Sequence, residues 1–302
     1  MAGPPRLFDR ELHRRRLGRA ARRYAGFLKH RAADDLVQRL EAVKRDFAIA
    51  IDLGARDGAF AAALAKSDAA AKVGFLVETD LSEAMLAGRA GSRVVADEER
   101  LPFAPESLDL VVSSLALHWT NDFVGALIQI REALKPDGLF LGAMLGGATL
   151  MELRGSLLTA ELELAGGAGP RVSPFADAFD AAQLLQRAGF ALPVADVDRV
   201  TVRYDHAFAL MTDLRAMGET NVLFEGLGRP LSRRLAARTA ELYAERFADP
   251  DGRLVATFEI LTLTGWSPHA SQQKPLRPGS ARIRLADALG VKERGAGERA
   301  GR

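Results

Sequence analysis

The chain of 302 residues contains no cysteine. Disulfides, thiolate metal ligands and a thiol nucleophile are therefore excluded, as expected for a reducing compartment. No run approaches the roughly 18 to 20 apolar residues that span a bilayer. No apolar segment follows the first charges as in a secretory leader. Acids at Asp9, Glu11, Asp34 and Asp35 interrupt the Arg-rich start, which presequences for import avoid. The expectation is a soluble, cytoplasmic protein. Net charge is also nearly missing, at +2. The excess is local: Arg14, Arg15, Arg16, Arg19, Arg22, Arg23, Lys29 and Arg31 fall close together. Such a run reads first as a solvated helical face and second as a phosphate-binding or membrane-docking surface, so nucleic acid is not the expected partner. No internal repeat is visible.

What is present is an alternation of short apolar runs and helical spacings. Leu36, Val37, Leu40 and Val43 recur at helical intervals. Phe47 to Leu53 then reads as a buried strand that ends in Asp52, Leu53 and Gly54. Further strands are expected at Val73 to Val77, Arg93 to Val95, Leu108 to Ser113 and Leu139 to Leu145, with helices between. Lys135-Pro-Asp-Gly138 is expected to break the pattern after the helix from Val124 to Leu134. Two later strands, Val194 to Val202 and Val255 to Leu263, enclose two helices. This order predicts an α/β fold with a seven-stranded Rossmann-like sheet and a helical insertion between strands six and seven. The expected organisation is a basic helical segment over 1–46, a main domain over 47–265 with its cap near 205–250, and a flexible tail over 266–302.

Acids stand at three successive strand ends. Asp52-Leu-Gly54-Ala-Arg56-Asp57-Gly58 occupies a strand-to-helix turn, where glycines let the backbone approach a ligand. Asp80, ahead of Glu78, is placed to accept from ribose hydroxyls, with Leu81 beside it. Asp97 and Glu98 follow the third strand, where a carboxylate can accept from an adenine amino group. Each acid alone suits an ordinary turn or cap. Together they predict a nucleoside-bearing cofactor.

These segments, with Leu108-Asp109-Leu-Val-Val-Ser113-Ser and Leu134-Lys-Pro-Asp-Gly138, resemble the signatures of class I S-adenosylmethionine-dependent methyltransferases. The resemblance implies that Gly54 and Gly58 hold the methionine part of S-adenosylmethionine, Asp80 the ribose and Asp97 the adenine, with Asp52, Leu81, Glu98 and Ser113 alongside. One departure is notable: Arg56 stands where the family has glycine. It would either crowd the cofactor's carboxylate end or pair with it.

A narrower resemblance runs through Phe8-Asp9-Arg10, Ser113 to Asp122, Gly142 to Arg154, Ser173-Pro-Phe175 and Met217-Gly-Glu-Thr-Asn221. It is to the methyltransferase-like, arginine-hydroxylating assembly factors of respiratory complex I. The chain is also similar to the malonyl carrier-protein methyltransferases of biotin synthesis. The first resemblance implies a protein acceptor, a complex I subunit, and docking at the inner membrane. His118 is the candidate proton acceptor. Trp119, Glu152, Arg154, Glu219 and Asn221 are the candidate lining of an acceptor pocket. Methyl transfer needs mainly positioning, so no nucleophile is required of the protein. Hydroxylation needs an oxygen-activating centre, and no His-x-Asp pair is present to begin one, so no metal site is assigned. A protein that keeps the fold for assembly without catalysis is the competing expectation.

Overall fold

The alternation along the chain resolves, in a computed structural model, into a central sheet with helices packed against it. The structure describes residues 6–226, 230–273, 279–280 and 283–291. Helix α1 (Arg10–Ala20) starts where the Asp9 carboxylate caps the Leu12 N–H at 2.9 Å. Helix α2 (Phe27–Ala42) buries Leu28, Ala32, Leu36 and Leu40, the helical spacing seen in the sequence. The next elements are β1 (Phe47–Leu53), α3 (Ala59–Leu64), β2 (Val73–Asp80), α4 (Glu83–Leu86), β3 (Ser92–Val95) and β4 (Leu108–Ser114). Helix α5 (Phe123–Ala133), β5 (Leu134–Leu145), α6 (Met151–Ala165), α7 (Ala178–Arg187) and β6 (Ala191–Tyr204) follow. Helices α8 (Ala207–Ala216) and α9 (Arg233–Phe247) form the insertion ahead of β7 (Leu254–Trp266).

The sheet has seven strands in the order β3-β2-β1-β4-β5-β7-β6. β1 to β5 run parallel, and β7 is antiparallel to both its neighbours. The strand order reverses between β1 and β4, so a crevice opens at their carboxyl ends. Along β5, Leu139, Leu141 and Ala143 join the core beneath α2 and α6, while Phe140 and Met144 join the core beneath α5 and α7. That alternation across both faces is why the strand reads as an unbroken apolar run.

The Lys135–Gly138 break proves to be a bulge. α5 stops at Ala133, and the pairing of β4 with β5 slips between Leu108 and Leu110. Asp137, at φ +63°, sits inside the bulge. β6 and β7 outrun their expected limits at both ends because they pair with each other along their length. The basic run does not form one solvated face: six of its members are exposed, Arg16 is half-buried and Lys29 is 1% exposed. The chain to Pro268 forms one compact unit and the chain from His269 a second. In the second unit the described helix is α10 (Leu285–Leu289), and much of the expected flexible tail lies outside the described residues. Among the described residues no helix is long and apolar enough to cross a membrane.

Candidate functional site

The turn after β1 is tight because β4 lies against it. A side chain at Gly54 (φ +77°) would strike Ala116, and one at Gly58 (φ +81°) would strike the Arg89 guanidinium. The left-handed backbone favours glycine at both positions, and at Gly54 the space requires it as well. The Gly54 and Ala55 N–H groups donate to the Thr79 carbonyl at 2.9 and 2.7 Å, fixing the turn to β2. Ser113 Oγ donates to the Leu53 carbonyl at 2.9 Å, so this residue ties β4 to β1.

Four acids converge on this turn in different electrostatic settings. Asp52 is fully buried, and neither carboxylate oxygen has a hydrogen-bond partner. Burial raises its pKa to about 6, partly countered by Lys29. Asp80, also fully buried, accepts from the backbone N–H of Arg56 (3.0 Å), Arg56 Nη1 (2.8 Å) and the Ser82 N–H (2.8 Å). Asp97 Oδ1 accepts from Arg10 Nη2 (2.6 Å) and from the Glu99 N–H (2.9 Å). Glu98, 1% exposed, pairs with the same arginine. Leu81 packs with Leu17 and Ala20 of α1 and with Met85, so α1 lies against this side of the crevice. Glu78 is engaged by Arg89.

Lys29 connects this turn to β4. Its ammonium donates to the Gly54 carbonyl at 2.8 Å and to the Ser114 carbonyl. Burial lowers its pKa to about 8 against the opposing pull of Asp52.

Beside the turn lies a cavity of about 490 Å³, whose apolar lining includes Leu28 of α2, Leu153 and Leu157 of α6, Phe175, Met211 and Phe258. Lys29, Leu115 and Tyr24 also line it, which brings it next to Gly54. Among the expected acceptor residues, Trp119, Glu219 and Asn221 line the cavity. Glu219 Oε2 accepts from Trp119 Nε1 at 2.8 Å and bonds His118 Nε2 at 3.1 Å. A carboxylate only accepts, so the His118 ring carries a hydrogen on Nε2. Nδ1 is buried and unpartnered, and His118 is not among the lining residues. The geometry makes His118 a residue that orients Glu219 rather than one that meets an acceptor.

Glu152 and Arg154 are placed elsewhere than in the expected lining. Glu152 bonds the Thr257 N–H (3.1 Å) and hydroxyl, tying α6 to β7. Arg154 donates to the Gly147 and Thr149 carbonyls before α6. Both flank the cavity residue Leu153 on α6, and these hydrogen bonds engage their side chains outside the cavity lining. The residues missed in the sequence are Arg10, Tyr24, Lys29 and the α6 leucines. Their only signal was the Phe8-Asp9-Arg10 segment, because their pairing depends on contacts across the fold.

The family model for a methyltransferase domain matches residues 51–142. The chain is 41% identical over 93% of its length to the arginine-hydroxylase NDUFAF5, mitochondrial, of Danio rerio, covering 89% of that protein. It is 35% identical over 90% of its length to a malonyl-[acyl-carrier protein] O-methyltransferase of Laribacter hongkongensis, covering 94% of it. The fold is similar to the YcgJ protein of Bacillus subtilis, with a TM-score of 0.54 at 14% identity over 80% of this chain and 99% of that one. Together with the strand order and the three acidic strand ends, these likenesses define the class: the chain belongs to the class I S-adenosylmethionine-dependent methyltransferases. It is an enzyme of that class with S-adenosylmethionine as its cofactor. Within the class it is similar over most of its length to the NDUFAF5 arginine-hydroxylases.

The residues present fit that cofactor. The two unpartnered Asp52 oxygens suit an ammonium, and a lone pair remains on Asp80 Oδ1 for a ribose hydroxyl. Asp97 Oδ2 accepts none of the hydrogen bonds described above and suits an adenine amino group.

Proposed function

We propose that this enzyme methylates an arginine side chain of a protein during assembly of respiratory complex I. The observation that carries this reading is Glu219, the one acid among the described residues lining the cavity. Two ring N–H groups hold its Oε2, which leaves Oε1 for a guanidinium. S-adenosylmethionine, when bound, supplies an activated methyl group. The chain's own residues hold it through Asp52, Asp80 and Asp97 and orient the acceptor through Glu219. The leucine lining excludes water from the approach. Methylation of the guanidinium nitrogen would release one proton, which Glu219 Oε1 is placed to accept. The similarity to relatives named arginine-hydroxylases supports an arginine acceptor.

A second reading has a specific observation behind it. Arg16, Arg171 and Arg215 also line the cavity, as would suit an anionic malonyl group presented by a carrier protein. The test is to incubate the full chain and S-adenosylmethionine with complex I subunits and with malonyl acyl carrier protein, followed by mass spectrometry. A gain of one methylene on a subunit arginine supports the main reading. A gain of one oxygen there replaces methylation with hydroxylation, and ester formation on the carrier alone assigns the second reading. Exposed Arg15, Arg19, Arg22 and Arg23 support peripheral docking at the inner membrane, which should weaken as salt is raised.

A further inference from the structure

Arg56 is the residue that departs from the family pattern, and the structure gives it an unusual setting. It carries a side chain at φ +51°, a left-handed backbone conformation that is strained for any residue but glycine. It is fully buried. Its backbone N–H and Nη1 both go to Asp80 Oδ2, while Nε and Nη2 have no hydrogen-bond partner. Burial pulls its pKa down, but the charges of Asp80 and Glu98 outweigh that and hold it above the ordinary value. The guanidinium is therefore a fixed cation with idle donors, a costly arrangement unless a ligand takes them.

Two neighbours are idle in the same way. His13 is 1% exposed, and both of its ring nitrogens lack partners. Burial, and then the charge of Arg56, keeps its pKa well below the usual value, so the ring is neutral and has one N–H to donate. Its ring lies over Trp119 at 4.8 Å. Asp52, whose carboxylate feels the Arg56 charge, offers two free acceptor oxygens. A buried cation, a buried anion and a neutral donor around one turn match a zwitterion that carries both a carboxylate and an ammonium.

We propose that Arg56 recognises the α-carboxylate of the cofactor's methionine end through Nε and Nη2, while Nη1 stays on Asp80. The side chain thus makes this site selective for a carboxylate where a glycine would leave only backbone. This inference rests on the cofactor assignment and adds a specificity residue to it. A guanidinium presents two parallel N–H donors to a carboxylate, which a lysine at the same position cannot do.

The experiment is calorimetric titration of the full chain with S-adenosylmethionine, with its decarboxylated analogue and with adenosine, for wild type, Arg56→Lys and Arg56→Gly. Wild type should bind S-adenosylmethionine about tenfold to a hundredfold more tightly than the decarboxylated analogue. Arg56→Lys should keep part of that preference and Arg56→Gly almost none. Adenosine, which lacks the amino-acid end, reports what Arg56→Gly does to Asp80 and the ribose side, and the preference between the two cofactors is read against it. Equal binding of the two cofactors to wild type overturns the assignment without any variant. Tighter binding of S-adenosylmethionine to Arg56→Gly, with the preference intact, also overturns it and makes Arg56 an obstruction. Failure of wild type to bind either cofactor, or adenosine, sinks the cofactor assignment itself and the present inference with it.

Discussion

The crevice at the ends of β1, β2 and β3 and the cavity beside it are neighbours built on opposite principles. The crevice is made of buried charge: Asp52, Asp80 and Glu98 face Lys29, Arg56 and Arg10 within a few residues of the strand ends. The cavity has a mainly apolar wall of leucine, methionine and phenylalanine side chains, with Glu219 the one acid among its described lining residues and Arg16, Lys29, Arg171 and Arg215 its cations. In the crevice the order of residues along the chain follows the order of strands, since each parallel strand must end on the same edge. The cavity gathers residues from Arg16 to Phe258, and no short segment contains its pattern. A charged site is thus stabilised by pairing and an apolar one by packing, so the two should respond differently to substitution.

The largest expected effect lies in the crevice. Asp80→Ala strands the Arg56 cation in the interior and should lower unfolding stability by about 3–5 kcal/mol in denaturant titration, with cofactor binding lost. A stability change well below this would mean that Arg56 has another partner. In the cavity, Glu219→Gln should leave cofactor affinity unchanged while acceptor turnover falls by about tenfold to a hundredfold in a single-turnover assay. Equal loss of both would merge the two regions into one site. Leu157→Ala, 6% exposed on the cavity wall, should cost about 2 kcal/mol, the low end for such a truncation because it opens into existing space.

A pH dependence is set by Asp52. Its folded pKa of about 6 lies above the unfolded value of 3.8, so the folded protein retains a proton that the unfolded chain releases. Stability from this group is therefore full below the lower value and declines as pH rises through about 6. Cofactor affinity should run the other way, because an ammonium pairs with the ionised carboxylate. It should fall by up to about tenfold per pH unit below 6 and level off above it. Lys29, Arg89, Asp80 and Arg56 are the charged groups around Asp52, and Asp52→Asn should flatten the profile if Asp52 is the group responsible. A profile that stays steep below pH 6 in that variant would assign the dependence to a group other than Asp52.

These regions differ as much in legibility as in chemistry. The three acidic strand ends and the glycine turn were readable because each is a local requirement: a tight turn needs glycine, and a strand that ends at a crevice brings its last side chains to it. The bulge at Lys135–Gly138 was not readable, because proline and glycine mark both breaks and bulges and only pairing with β4 separates the two. Glu152 and Arg154 looked like pocket residues because polar groups in an apolar helix invite that reading. Their partners, Thr257 and the Gly147 and Thr149 carbonyls, were out of view.

Arg56 shows where the boundary falls. By itself the sequence determined that a charged side chain stands where the backbone must turn sharply, and hence that this site departs from its family. Only the tertiary structure decided what the charge does, since Asp80 and His13 are brought to it by β2 and α1. Local backbone geometry is written in neighbouring residues, whereas the pairing of buried charges depends on which distant elements exclude water around them.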